Sequence, residues 1–280
     1  MIHLSKEQRT KNKEQRTKSK EQEQRTKSKE QRTKNKEQEQ RQHQTTNIKL
    51  ESMNWNTNTL SLSDLDLDIN EIYLNLGYGG EIPEDSFVEM IDKLINHIDS
   101  FCKPSAGYLV LPGKIAEKNY LEINNVRIKV GSVITKYLKN ATHFAIFVVT
   151  AGEEFDTYLE QLRADGDIVS EFLVYSIGSE IAEATVRFIT AKITEEADKQ
   201  GFMISHSYSP GHCSWHVREQ QKLFSLLPEK PCGVVLNKSS LMHPVKSVSG
   251  ILGLGKELEM SLYGCDICGL KSCFKRKTTN

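Results

Sequence analysis

Apolar residues run unbroken, alternate, or recur at helical spacing in different parts of the chain, and each pattern predicts its own element. His143-Phe144-Ala145-Ile146-Phe147-Val148-Val149 is a nearly continuous apolar run closed by Thr150-Ala151-Gly152. Such a run predicts a strand buried on both faces, hence a central one. Over Ser86 to Phe101, the residues Phe87, Ile91, Leu94, Ile95 and Ile98 recur three and four apart, which predicts an amphipathic helix with Glu84 or Asp85 favourable at its start. A longer helix is predicted from about Val169 to Glu195. It turns Ile177, Ile181, Ala184, Phe188 and Ile193 toward the core and is interrupted near Ser176 to Ser179 by Gly178.

Shorter elements fill the intervals. Tyr108 to Leu111 predicts a strand ended by Pro112-Gly113, and Leu121 to Val130 a hairpin turning at Asn124-Asn125, because Asn tolerates the positive φ of a two-residue turn. Residues 132–139 suit a short helix, Leu60 to Leu67 a strand or extended arm, His216 to Leu227 a helix, and Cys232 to Leu236 a buried strand. Gly77-Tyr78-Gly79-Gly80 lacks the Gly-Lys-Ser/Thr of a phosphate loop and is a linker. The elements sum to an α+β domain: a twisted, mostly antiparallel sheet flanked by helices.

Residues 1–52 break the pattern altogether. Lys6 to Asn12 recurs, nearly unchanged, from Lys13, Lys20, Lys29 and Lys36, and no apolar residue occurs in any copy. A seven-residue period without an apolar seam cannot form a coiled coil, and such a segment buries too little surface to offset its conformational entropy. The domain division is therefore a disordered low-complexity tail, 1–52, and a folded part, 53–280. The tail holds fifteen Lys and Arg against eight Glu, so the neutral chain leaves residues 53–280 with a deficit of seven charges. The tail does not suit nucleic acid as a target, since Glu is interleaved and no aromatic is present to stack on bases. A translated upstream repeat with the native start at Met53 fits it better. No 18-residue apolar run and no secretory signal occur, so the expected setting is cytoplasmic, without membrane insertion.

The candidate chemistry gathers between residues 205 and 250. Pro210 fixes φ and Gly211 permits positive φ, which makes a tight turn between Ser207-Tyr208-Ser209 and His212. Ser247-Val248-Ser249-Gly250 is a run of small residues whose main chain faces whatever binds. Trp215 suits either the core or a stacking surface. Near the end, Cys265, Cys268 and Cys273 lie within nine residues, a spacing that fits zinc or an iron–sulfur cluster with Cys213, His212 or an open coordination position as the fourth; free thiols or a redox pair fit equally.

Together Thr150-Ala151-Gly152, Ile181-Ala182-Glu183-Ala184, Pro210-Gly211, Glu219 to Phe224, and Pro244 to Gly250 resemble the activation domain of cobalamin-dependent methionine synthase, in the version that occurs as a separate protein. The resemblance spans roughly residues 70–276 and implies binding of S-adenosylmethionine for methylation of the cobalamin of a partner. It also implies two partners: a methionine synthase that lacks its own activation domain, and a reductant such as a flavodoxin-like protein. It assigns the ligand to Glu183, Ser207, Ser209, Pro210, Gly211, His212, Ser247, Ser249 and Gly250. Three positions depart from the family pattern. Ser207 stands where the family has an Arg that holds the ligand carboxylate, His212 stands for its Tyr, and Lys238 replaces a Glu and is a candidate substitute cation. Loss of ligand binding in a docking protein of the same fold, or a metal or iron–sulfur redox partner of a corrinoid protein, are the alternative readings.

Overall fold

Residues 55–79 and 81–258 are described by a computed structural model. In chain order the strands are β1 (Asn56–Thr59), β2 (Ser105–Glu117), β3 (Tyr120–Ile123), β4 (Val126–Lys129), β5 (His143–Thr150), β6 (Met203–Ile204), β7 (Val235–Leu236), β8 (Met242–His243) and β9 (Ser247–Gly255). The helices are α1 (Ile69–Asn75), α2 (Asp85–Asp99), α3 (Ser132–Tyr137), α4 (Glu153–Asp165), α5 (Ile168–Asp198) and α6 (Gln220–Phe224).

Every strand pairing is antiparallel. The main sheet has the order β4-β3-β2-β5-β9-β6 with β1 on β2, and β7 pairs with β8 apart from it. The expected α+β class with a mostly antiparallel sheet is thus what the chain forms. All eight residues of β5 are buried, as an apolar run predicts for a strand covered on both sides. Asn124 (φ 45°) and Asn125 (φ 65°) take the left-handed turn between β3 and β4. On one face of β5, Phe144 and Ile146 join a cluster with Ile251, Tyr208, Trp215 and Leu223. The long helix α5 packs against β2, β5, β6 and β9.

Four expectations are corrected, the first two by tertiary contacts. The strand predicted to stop at Pro112-Gly113 continues through it, because β2 changes neighbours there: residues up to Pro112 pair with β5 and those from Gly113 with β3. A Cβ on Gly113 would lie 2.7 Å from the Glu122 carbonyl oxygen and from the Phe144 ring, so this glycine serves close packing rather than a turn. The helix α5 is not interrupted at Gly178; a Cβ there would lie 2.4 Å from the ring of Phe155, so the glycine makes room for α4. Pro231–Gly233 forms a 3-10 turn with Cys232 at φ 53° and Gly233 at φ 77°, and only Val235–Leu236 pairs as a strand. The predicted helix from His216 is a 3-10 turn at Val217–Glu219 followed by the short α6.

The N-terminal arm is extended with one 3-10 turn at Leu62–Asp64, and Leu60, Leu62 and Leu65 are buried. It is pinned at Asp68, whose N–H donates to Glu180 Oε1 at 2.9 Å, while Arg187 donates to the same oxygen at 2.5 Å and to the Asp66 carbonyl at 2.6 Å. Glu180 is 1% exposed, and burial raises its carboxyl pKa despite those two donors.

Candidate functional site

The outer edge of β9 organises the site. β5 covers one edge of β9 along Ser247 to Leu254. On the other edge, β6 pairs only with Leu254 and Gly255, and Tyr208 exchanges both backbone hydrogen bonds with Ile251 at 2.9 Å. In an antiparallel ladder alternate residues point their N–H and C=O to the same side, so the outward set comprises Ile251, Ser249 and Ser247. No described strand pairs with β9 on that edge below Ile251. A Cβ on Gly250 would lie 2.6 Å from the Tyr208 carbonyl oxygen, so only glycine lets this segment come so close.

Immediately after Tyr208 the chain makes the predicted turn. His212 N–H donates to the Ser209 carbonyl at 3.1 Å, Gly211 N–H to Trp215 at 2.7 Å, and Trp215 N–H to His212 at 2.8 Å. Gly211 has φ 100°, and nothing lies within 4 Å of its would-be Cβ, so it is needed for its conformation and leaves open space in front. Cys213 (φ 49°) and Ser214 (φ 68°) follow in left-handed conformation, a costly pair of non-glycine residues held by the burial of Trp215. Trp215 is 1% exposed, which settles it in the core rather than on a stacking surface.

The candidate residues are not all in one place. Ser207, Ser209 and Pro210 are half-buried, Gly211 and His212 exposed, and Tyr208 between the two serines is the residue that bridges to Ile251 of β9. Ser249 is 1% exposed and its Oγ has no partner among the described residues. Ser247 is already engaged: its Oγ donates to the Pro244 carbonyl at 2.7 Å and shares a hydrogen bond with the Thr150 hydroxyl at 2.8 Å. Glu183 is half-buried on α5, the helix that packs against β9, and forms no hydrogen bond or ion pair with the described residues. Lys238 lies elsewhere, exposed in the β7–β8 turn, which is organised by Asn237 and tied to α6 by Gln221 donating to the Asn237 carbonyl at 2.7 Å. Cys265, Cys268 and Cys273 lie outside the described residues. Among the described residues no group of three or more His, Cys, Asp or Glu is placed to hold a metal.

Two polar side chains escaped the sequence reading. Lys246, next to Ser247, is 6% exposed; its Nζ donates to Ser179 Oγ at 2.8 Å and sits 3.0 Å from the ring centroid of Tyr175. Burial pulls its pKa down to about 8, against a smaller opposing pull from Asp156. Asp156 on α4 is 8% exposed; its Oδ2 accepts from Val245 N–H at 2.6 Å and lies 3.6 Å from His243 Nδ1, and its buried Oδ1 has no partner among the described residues. Asp156 and His243 line a pocket of about 560 Å³ between α4 and the β7–β8 ribbon. The available signal was position: a lysine abutting a strand of small buried residues.

Edge, turn and helix define the class: an antiparallel α+β domain in which no described strand pairs with the outer edge of β9 below Ile251. Residues 132–264, a little under half of the chain, match the family model described as the vitamin B12 dependent methionine synthase activation domain, and the recognition made on the motifs holds. The fold matches a solved crystal structure described as the MetH reactivation domain bound to AdoHcy. The TM-score is 0.58 at 16% identity, over 76% of this chain and 81% of that one.

Proposed function

We propose that the chain binds S-adenosylmethionine along the outer edge of β9 and supports methylation of the cobalamin of a separate methionine synthase. The observation that carries this reading is Ser249. It is buried, its hydroxyl has no partner among the described residues, and its backbone faces an edge that no described strand covers, two residues from the Ile251 that bridges to Tyr208. Buried polar atoms rarely stay unpaired, so a bound polar ligand is the natural partner. The family match and the AdoHcy carried by the structural neighbour support the choice of ligand.

In this reading Glu183 faces the positive end of the ligand, since a sulfonium or α-ammonium offsets the cost of a half-buried carboxylate. Ser209, Gly211 and Gly250 shape the channel, and Ser249 supplies a donor and an acceptor. The partner's cobalamin, reduced by one electron from a flavodoxin-like protein, supplies the nucleophile that takes the methyl group, while the sulfur keeps the bonding pair and leaves as S-adenosylhomocysteine. This chain needs no nucleophile of its own. Its part is to hold the sulfonium in line and keep water out.

Calorimetric titration of the chain with S-adenosylmethionine and S-adenosylhomocysteine tests the reading. Micromolar binding, about −8 kcal/mol, is expected, and Glu183→Ala should weaken S-adenosylmethionine roughly tenfold, about 1.4 kcal/mol. Absence of heat at two temperatures together with a negative equilibrium dialysis would sink it. Action in trans is checked by adding the chain and a one-electron reductant to a cob(II)alamin-arrested methionine synthase that lacks this domain and following the return of turnover.

A further inference from the structure

Lys246 is the one Lys or Arg among the buried residues described. A buried ammonium is costly without an anion, and no ion pair reaches Lys246 among the described residues. Its surroundings are neutral at contact distance: Ser179 Oγ and the face of Tyr175, both on α5. Asp156 from α4 attracts it from farther away, and Asp156 is itself shared with Val245 N–H and His243 of β8. The ammonium therefore keeps donor capacity that no described carboxylate uses.

Its position is as telling as its burial. Tyr175, Ser179 and Glu183 succeed one another at four-residue intervals and so share one face of α5. Lys246 lies on the first two, and Glu183 is one turn further along. Lys246 also immediately precedes Ser247, the first residue of β9. One strip of α5 and β9 thus presents a cation at one end and a carboxylate one helical turn, about 6 Å, along. That spacing suits the separated charges of an adenosyl amino acid.

We propose that Lys246, and not the exposed Lys238, receives the α-carboxylate of the ligand bound on the outer edge of β9. The inference rests on the ligand reading above. A charge-assisted hydrogen bond in this low-exposure setting serves in place of an arginine fork, and the ligand in turn gives the buried ammonium its counter-charge.

The test compares S-adenosylhomocysteine with 5′-methylthioadenosine, which keeps the adenosine and thioether and lacks the amino-acid end. Lys246→Met in the full chain should weaken S-adenosylhomocysteine tenfold or more and leave 5′-methylthioadenosine within about twofold, with Lys246→Arg recovering part of the loss. A second measurement needs no variant: in protein carrying ¹³C at the lysine ε-carbon, S-adenosylhomocysteine should raise the titration midpoint of Lys246 and 5′-methylthioadenosine should leave it in place. The proposal is overturned by an unmoved midpoint with the amino-acid ligand bound, by equal losses for both ligands, or by a selective loss that follows Lys238→Met instead. If neither ligand binds the unaltered chain, the function reading falls and takes this one with it. If both bind and Lys246→Met discriminates nothing, only this one falls.

Discussion

At the scale of single residues, burial acts on two ionisable groups with opposite consequences for pH. Glu180 has its pKa raised by burial above the ordinary carboxylate value, so the folded state holds its proton longer than the unfolded chain does. Stability from this group is fully present below the unfolded pKa and is lost as pH rises through the folded one. Lys246 has its pKa lowered to about 8, so between that value and the ordinary lysine value the unfolded chain binds more protons, and stability rises with pH. Denaturant melts across pH 4 to 10 check both signs: Glu180→Gln should flatten the acid-side slope and Lys246→Met the alkaline one. Glu180→Ala does more, because it strands the Asp68 N–H and the Arg187 guanidinium that now share one oxygen. A loss of about 2–4 kcal/mol is expected, the range for breaking one side of a buried polar pair. Thermal melts of Glu180→Ala beside Arg187→Ala measure it, and a loss under about 0.5 kcal/mol would mean the arm is held by its leucines instead.

At the scale of elements, Gly178 makes the sharpest case. In an exposed helix a Gly→Ala change stabilises by about 1 kcal/mol. Here the added methyl meets the Phe155 ring at 2.4 Å and lies 3.1 Å from Lys246 Cγ. Gly178→Ala should therefore destabilise, by roughly 1–3 kcal/mol, and the paired change Phe155→Leu should recover part of that; a stabilised Gly178→Ala in denaturant unfolding would refute the packing. The same residue shows where sequence legibility ends. β5, the Asn124-Asn125 hairpin and α2 could be read because their patterns are local: an apolar run, a left-handed turn, a helical stripe. The continuation of β2 through Pro112, the uninterrupted α5 and the short β7 could not, since each is decided by a neighbour far along the chain. The site divides in the same way. The turn at Pro210-Gly211 and the small-residue run ending at Gly250 were legible from their glycine, proline and serine, whereas Lys246 and Asp156 acquire meaning only when α4, α5 and β9 come together. Lys238, attractive by sequence position alone, sits exposed on a different ribbon.

At the scale of the whole molecule, the proposed site draws on segments that meet only in the fold: α5, the loop after β6, and β9. A ligand placed there would contact the folded state and find almost nothing to bind in the unfolded chain, so its affinity should appear as stability. At a hundredfold excess over Kd, S-adenosylhomocysteine should add about 2.7 kcal/mol, which for a domain of this size is a rise of about 5–10 °C in Tm. The rise should grow with the logarithm of ligand concentration and shrink in Glu183→Ala. Differential scanning calorimetry of the full chain checks this. A Tm that stays flat while titration calorimetry saturates would place the ligand on a segment that unfolds independently of β9, and would remove the strand edge as the site even though binding itself had been found.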